Sequence, residues 1–245
     1  MQTIIQKMGR DKLLALRPAS VTWPLSMGEV MHMASILGAF WAYDYDAARA
    51  NKFGLHAELK SGLHSDGFFV SKILLESENI RRIMAQQMVR RIHQAIGVSP
   101  DYVAGIPDGA TNLGKEVANI LGVPEACMEK RDGKITLTTN VGRGLVLLVE
   151  DICTRGTALV EAATHIRASQ RGAQIMKYNP VIINRGGLMF IPVAGIGTFK
   201  ILPVVERRIN DWTADECPLC KLGSRAIKPK ATDQNWIDIT TSQQR

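Results

Sequence analysis

The chain has few cysteines, few aromatic residues and no long apolar run, and each of these shortages argues against a class of protein. Its 245 residues include four cysteines, too few and too unevenly spaced for a disulfide framework. The most apolar segment, Val30 to Tyr43, is too short to cross a bilayer and contains His32 and Ser35. The N-terminal residues carry scattered charges and no apolar stretch of signal-peptide length. We therefore expect a cytoplasmic protein with no membrane partner.

Charge and aromatic content narrow the class of ligand. The chain has 30 basic and 23 acidic residues, which gives a net charge of +7 and suits an anionic ligand. No block of like charges occurs, however, and four tryptophans and four tyrosines offer little for base stacking. This composition argues against a nucleic acid as the main partner. With 46% hydrophobic residues, the chain is typical of a globular protein with a sizeable core.

Helical and strand patterns alternate through the middle of the chain. A helical apolar stripe over residues 76–97 is followed by apolar strand patterns and amphipathic helix patterns in turn. The strands are predicted at 101–106, 125–130, 144–150, 178–185 and 199–205, and the helices between them at 110–122 and 157–172. The third strand, Gly144 to Glu150, is nearly all apolar, as expected for a strand buried on both faces. The order predicts an α/β fold with a parallel sheet flanked by helices.

The two ends of the chain lie outside this alternation. Residues 1–50 are predicted to be helical, with a second helix from Met27 to Ala50, and to form a cap (hood) or an oligomer face. Residues 51–210 would form the core domain. Residues 211–245 are predicted to be a surface tail with a frayed polar end. The sequence thus suggests three parts.

One stretch, VLLVEDICTRGTALVEA at 146–162, carries the strongest chemical signal. An apolar strand ends on Glu150 and Asp151, which in a parallel sheet would face the ligand crevice. The turn that follows leads into a helix N-terminus, where free N–H groups and the helix dipole favour an anion. The acids could accept hydrogen bonds from a sugar diol while the turn holds a phosphate. Taken separately, the two acids could also be ordinary strand-end residues, and the turn could be a simple helix cap.

This stretch resembles the phosphoribosyl pyrophosphate (PRPP) motif of type I phosphoribosyltransferases, closest to the orotate branch. The resemblance implies the type I fold, with Glu150 and Asp151 on the ribose hydroxyls. It also implies that the loop around the 5′-phosphate consists of Thr154, Arg155, Gly156, Thr157 and Ala158. The family usually has a small residue at the position of Arg155.

Three further segments resemble the same family in the same order. In ELKSGLHSDGFF (58–69), Lys60 would reach the pyrophosphate and Phe68 and Phe69 would flank the base, with core packing as the alternative for the two rings. In VAGIPDGATNLG (103–114), the leaving group would meet Ile106, Pro107, Asp108 and Gly109. In VIINRGG (181–187), Arg185 would contact the base, the alternative being a surface arginine.

The catalytic loop of orotate enzymes is matched least well. The segment 128–144 offers Lys130 at a strand end, with Arg131 or Lys134 further on, but it is short and has no histidine. We expect Lys60, Lys130 and Asp151 to be the catalytic residues.

The reaction implied is transfer of the phosphoribosyl group from PRPP to orotate, giving orotidine 5′-monophosphate and pyrophosphate in pyrimidine biosynthesis. A salvage transferase for another base and a catalytically weak PRPP-binding regulator are the alternatives. The resemblance implies Mg²⁺ bound through PRPP, with Asp108 contacting it through water and no direct protein ligand, and a homodimer.

Cys217 and Cys220 have metal-type spacing, but no second Cys or His pair follows them and the five histidines all lie far upstream. Structural zinc needs four ligands, so the sequence argues against a zinc site.

Overall fold

The computed structural model describes residues 2–244. Its α-helices are α1 (Arg10–Leu14), α2 (Met27–Ile36), α3 (Tyr45–Arg49), α4 (Ser71–Glu76), α5 (Glu78–Ala95), α6 (Thr111–Leu121), α7 (Thr157–Ser169), α8 (Pro218–Lys221) and α9 (Asp233–Thr241). Short 3₁₀ helices cover Ile5–Lys7 and Pro18–Ser20.

The β-strands are β1 (Phe40–Ala42), β2 (Leu55–Glu58), β3 (His64–Ser65), β4 (Gly67–Phe69), β5 (Tyr102–Gly105), β6 (Met128–Arg131), β7 (Lys134–Leu137), β8 (Leu145–Cys153), β9 (Gln174–Ile175), β10 (Tyr178–Asn184), β11 (Phe190–Val193), β12 (Gly197–Glu206), β13 (Asp211–Trp212) and β14 (Arg225–Ile227). Contacts divide the chain into two compact units. Unit 1 contains the residues up to Ile36 and Ser71–Arg208, and unit 2 contains Leu37–Val70 and the residues from Ile209 onward.

Unit 1 is built on a six-stranded sheet in the order β11-β12-β10-β8-β5, with β9 also paired to β8. Every pair is parallel except β11 with β12. The predicted parallel sheet is therefore confirmed. β8 runs through its centre, and five consecutive residues from Val146 to Glu150 are buried, as its apolar sequence predicts.

Three helices supply most of the cover for this sheet. α5 packs against α6 and β12, α6 packs against β5, and α7 packs against β8 and β11. α6 ends where Gly122 takes the left-handed conformation, with φ +71°, as its position after the apolar stripe predicts. Leu159, Ala162, Ala163 and Ile166 are the buried face of α7, as predicted.

The first 36 residues belong to unit 1. Two hydrogen bonds attach the segment that precedes α2 to helix α5. Gln87 Oε1 accepts from the Leu25 N–H at 2.8 Å, and Gln87 Nε2 donates to the Trp23 carbonyl at 3.1 Å. The helix expected from Met27 to Ala50 ends instead at Ile36. Gly38 follows with φ +77°, a conformation that a helix cannot continue, and β1 comes next.

Unit 2 combines two segments that are distant in sequence. Its four-stranded sheet has the order β13-β3-β2-β14, and β1 pairs separately with β4. Trp41, Tyr43, Ala57, Leu219 and Ile239 lie in its buried core. His56 is also fully buried. Burial and the neighbouring His64 lower the pKa of His56 to about 4, so its imidazole is neutral at physiological pH.

The C-terminal residues are folded into unit 2, in contrast to the surface tail that we expected. The Ser242 hydroxyl accepts from the Leu55 N–H at 2.9 Å, and Gln243 Nε2 donates to the Asp44 carbonyl at 2.8 Å. These partners lie nearly 200 positions away in the sequence, which is why no local pattern revealed them. None of the helices between residues 2 and 244 has the length and apolar character needed to cross a bilayer.

Candidate active site

The two acids that follow the apolar strand lie at the C-terminal end of β8, between β5 and β10. Glu150 is buried, and among the described residues its Oε2 has no hydrogen-bond partner. Asp151 is half-buried, and its Oδ1 accepts from the Ile152 N–H at 2.9 Å. Burial, together with the charge of Asp151, raises the pKa of Glu150 to about 8. A buried carboxyl oxygen without a donor can accept a ligand hydroxyl.

The turn after β8 leads into the start of α7, where an anion could bind to backbone N–H groups. Gly156 takes a left-handed φ of +70° as the N-cap, and no side chain caps the helix. A side chain at Gly156 would collide with Ile191, so glycine is required by both space and conformation. Thr157, the first helical residue, is exposed. The first N–H groups of α7 therefore have no capping side chain to compete with a phosphate.

The loop after β5 lies directly against the acidic pair. It comprises Ile106, Pro107, Asp108 and Gly109 and leads into α6. A Cβ added to Gly109 would overlap the Asp151 carboxylate, so the two groups are in close contact. Asp108 is exposed beside this contact. The predicted pyrophosphate loop and the predicted ribose-binding acids are thus neighbours.

A third loop, which follows β10, flanks the turn after β8 on the side opposite the loop that follows β5. The N–H groups of Arg185 and Gly186 both donate to the Cys153 carbonyl, at 2.8 and 3.2 Å. Gly186 is packed so tightly on the Thr154 carbonyl that a Cβ there would collide with it. Arg185 is buried, in contrast to the surface arginine that was its alternative. Loops 106–109, 154–158 and 185–187 therefore meet at one edge of the sheet, where the strands end.

Two other side chains of this region differ in accessibility. Cys153 is fully buried, and burial together with Glu150 raises the pKa of its thiol to about 12, so it stays protonated. Arg155 is exposed on the turn.

The segment that would carry the catalytic loop is a tight β-hairpin. β6 and β7 pair antiparallel around Asp132 and Gly133, both with positive φ, at +47° and +78°. Ile135 is buried, and its N–H donates to Glu161 of α7 at 2.7 Å. Lys130 is exposed near the tip. The strand predicted at 125–130 joins this hairpin, except for a single parallel bridge between Glu125 and Val103.

The remaining predicted residues belong to unit 2. Lys60 is exposed in the turn between β2 and β3. Phe68 and Phe69 are consecutive in β4, so their side chains point to opposite sides of the strand. Phe69 is buried against Phe40, with ring centroids 6.1 Å apart, whereas Phe68 lines a cavity. We expected both rings to flank a base, but only Phe68 of the pair reaches this cavity.

The cavity contains residues that sequence reasoning missed. It has a volume of about 340 Å³ and is lined by Glu58, Lys60, Phe68, Lys228, Pro229, Lys230 and Ala231. Lys228 Nζ lies 3.4 Å from Glu58 Oε1, and Lys230 Nζ lies 5.9 Å from the centre of the Phe68 ring. No local signal connects these lysines with Phe68. They follow β14, which pairs with β2, and β2 in turn contacts β4, the strand that carries Phe68.

Comparison with known proteins identifies relatives of the chain by sequence. No protein-family model matches the chain. Orotate phosphoribosyltransferase of Wolinella succinogenes is 31% identical over 185 residues, which are 71% of this chain and 88% of that protein. Orotate phosphoribosyltransferase of Nitratiruptor sp. is 32% identical over 189 residues, covering 71% and 90%.

Solved structures agree at the level of fold. The crystal structure of orotate phosphoribosyltransferase from Francisella tularensis aligns with a TM-score of 0.50 at 18% identity, covering 75% of this chain and 84% of that one. This confirms the expected type I phosphoribosyltransferase fold. With the identity and coverage of the curated relatives, the chain belongs to the orotate phosphoribosyltransferase family.

Proposed function

We propose that the chain transfers the phosphoribosyl group of PRPP to orotate, forming orotidine 5′-monophosphate and pyrophosphate. The observation that carries this proposal is the contact between Gly109 and the Asp151 carboxylate. This contact puts the predicted leaving-group loop beside the predicted ribose site, at the C-terminal edge of a parallel sheet, where such folds bind ligands. The choice of orotate as the base rests on the family and on the names of these relatives.

In this proposal the acidic pair binds the ribose. Glu150 Oε2 accepts one hydroxyl and Asp151 accepts the other, while the start of α7 binds the 5′-phosphate through backbone N–H groups. The ribose ring gains positive charge as its bond to pyrophosphate breaks, and the fixed carboxylate of Asp151 next to it stabilises that charge. Because the ring is held at both ends, the reacting carbon keeps one position relative to the incoming base.

Magnesium fits the donor set at this edge. Asp108 and Asp151 offer carboxylate oxygens, the ligand type that Mg²⁺ prefers, on either side of Gly109. Bound together with PRPP, the ion would neutralise charge on the departing pyrophosphate. In our proposal Asp108 contacts it through water, and PRPP supplies the direct ligands.

Asp151→Asn tests the ribose assignment. The amide keeps the shape but loses the charge and one acceptor, so kcat should fall at least about tenfold, with an unchanged melting temperature. Steady-state kinetics with orotate and PRPP measure the first quantity, and scanning calorimetry measures the second. Asp215→Asn, at an exposed position outside unit 1, is the matched control and should leave both values unchanged. Full activity in Asp151→Asn would refute the role of this carboxylate.

A second candidate function is PRPP binding without efficient transfer. The β6–β7 hairpin favours it, because Lys130 lies on a short, packed hairpin and no long loop separates the two strands. Titration calorimetry with PRPP, followed by pyrophosphate release with orotate and with other bases, separates the candidates. Binding with no release from any base would support a regulator, and release with orotate alone would support the transferase.

The remaining expectations stay predictions from the sequence. They include the parts of Lys60 and Lys130 in catalysis, of Phe68 and Arg185 in base binding, and of Arg155 at the phosphate. A homodimer, Mg²⁺ as the ion and a cytoplasmic location also belong to this group.

A further inference from the structure

Unit 2 contains a cluster of four potential metal ligands that the transfer reaction does not use. It consists of His56 on β2, His64 on β3, and Cys217 and Cys220 on either side of the start of α8. One nitrogen or sulfur atom from each residue can be chosen so that all four lie within 4.8 Å of one another. The sequence argued against zinc because the histidines lie far upstream of the cysteines. The fold removes that objection.

The distances between these atoms resemble the edges of a tetrahedron. His56 Nε2 lies 3.0 Å from His64 Nδ1, 3.6 Å from Cys217 Sγ and 3.5 Å from Cys220 Sγ, and Cys220 Sγ lies 3.3 Å from His64 Nδ1. Zinc bonds of about 2.0–2.1 Å to nitrogen and about 2.3 Å to sulfur imply edges of roughly 3.3–3.8 Å. All four ligand atoms also lie within 4.8 Å of one another, so one zinc ion fits between them after small side-chain shifts.

A second contact orients His56 for this role. The buried Ser224 hydroxyl donates to the Gly54 carbonyl at 3.2 Å, so it accepts from Nδ1–H of His56 at 2.9 Å. The proton on Nδ1 leaves the lone pair on Nε2, which points into the cluster. Metal-bound histidines usually have such a partner on the other ring nitrogen.

The cluster also connects separate pieces of unit 2. His56 and His64 lie on the two central strands of the sheet, whereas the cysteines lie on the connection between its outer strands, β13 and β14. The apolar core of the unit is small, and sheets with little core are commonly stabilised by a metal or a disulfide.

We propose that His56 Nε2, His64 Nδ1, Cys217 Sγ and Cys220 Sγ bind one structural zinc ion. Two nitrogens and two thiolates in a tetrahedron are a ligand set typical of zinc. All four positions come from the protein, so the site is closed and holds the fold rather than a substrate. Each thiol releases its proton when it binds, and the ion remains Zn²⁺ throughout.

Metal content of the full chain gives the first test. Protein purified without chelator and dialysed against metal-free buffer should retain about one zinc per chain by plasma mass spectrometry. Cys220→Ser should lose most of it, whereas Cys127→Ser, at an exposed cysteine of unit 1, is the matched control and should keep it. Equal zinc in the wild type and Cys220→Ser, or none in the wild type, would overturn the proposal.

Cobalt substitution gives a spectroscopic test of the ligand set. Wild-type protein refolded with Co²⁺ should show the intense visible absorption of tetrahedral cobalt and a thiolate-to-metal charge-transfer band. Ser224→Ala should keep the spectrum but bind the metal about 10–100-fold more weakly, because His56 loses its orienting partner. Absence of both bands in folded protein, or a Cys217–Cys220 disulfide in protein purified anaerobically, would contradict a metal site.

Discussion

The two units of this chain differ in what holds them together. Unit 1 has a parallel sheet with helices packed against it and a broad apolar core that includes β8, α7 and β12. Unit 2 has short strands, a small apolar core and four buried or partly buried His and Cys side chains beside it. In unit 1 the apolar core fixes the loops of the candidate active site. In unit 2 polar groups, and in our proposal a metal, supply order that the core alone cannot provide.

Removal of the metal should have the largest effect, and it should act on unit 2 alone. A strong chelator should raise the amide exchange rates of β2, β3 and β14 at least tenfold, because the metal no longer holds these segments together. The amides of β8 and β10 should stay protected. Hydrogen exchange with mass spectrometry measures both regions in one sample, and re-addition of zinc should restore protection. Equal loss of protection in both units would show that the metal does not stabilise unit 2 in particular.

Phe199→Ala should weaken unit 1 in the complementary way. Phe199 is fully buried in the core around β12, and its truncation should cost about 3–5 kcal/mol of unfolding free energy. Urea unfolding measures this cost. Phe190→Ala on the neighbouring β11 is the matched control, because that ring is 53% exposed and should cost much less. A similar cost for both variants would show that core burial does not dominate in unit 1.

Glu150→Gln should change how the stability of unit 1 depends on pH. The pKa of Glu150 is about 8 in the folded chain and ordinarily 4.5, so its contribution to stability is complete below pH 4.5 and is lost as the pH rises towards 8. The glutamine cannot ionise and escapes this loss. The variant should therefore match the wild type near pH 4.5 and exceed it by about 2–4 kcal/mol at pH 8.5. Urea unfolding at both pH values measures the difference, and an equal gain at both would refute a buried, protonated Glu150.

Gly133→Ala should have the smallest effect. Its φ of +78° is costly for a residue with a side chain, so the substitution should remove roughly 1 kcal/mol from unit 1. Gly97→Ala, which has open space around it and no positive φ, should cost less. Thermal melts of both variants compare them, and equal costs would place the strain outside the hairpin turn.

Much of unit 1 could be predicted because its signals are local. The apolar run of β8 and the glycine after α6 specify a strand and a helix end within a few residues. The PRPP-type motif lies on one strand, one turn and one helix start, so a single stretch of sequence contains most of the candidate ribose and phosphate site. Alternation of strands and helices then leaves few parallel arrangements open.

Unit 2 could not be predicted in this way because its determining contacts join residues that are far apart. The partners of His56 in the cluster include Cys217 and Cys220, and no periodicity relates them. The pairing of β14 with β2, which places Lys228 and Lys230 in one cavity with Phe68, is equally long-range. The sequence motif predicts one role for Phe68 and Phe69, although alternation along a strand points their side chains to opposite faces.

The tight turn at Asp132 and Gly133 bears on how easily water reaches a bound sugar. Many transferases shield a reactive sugar beneath a lid, which prevents hydrolysis and must reopen before the product departs. The hairpin 128–137 turns within two residues and is hydrogen-bonded to α7, so it offers no long loop that could act as such a lid. A transferase with such a hairpin would give up some protection from hydrolysis and gain quicker escape of its nucleotide. Slow loss of pyrophosphate from PRPP without any base would then be a normal property of this chain.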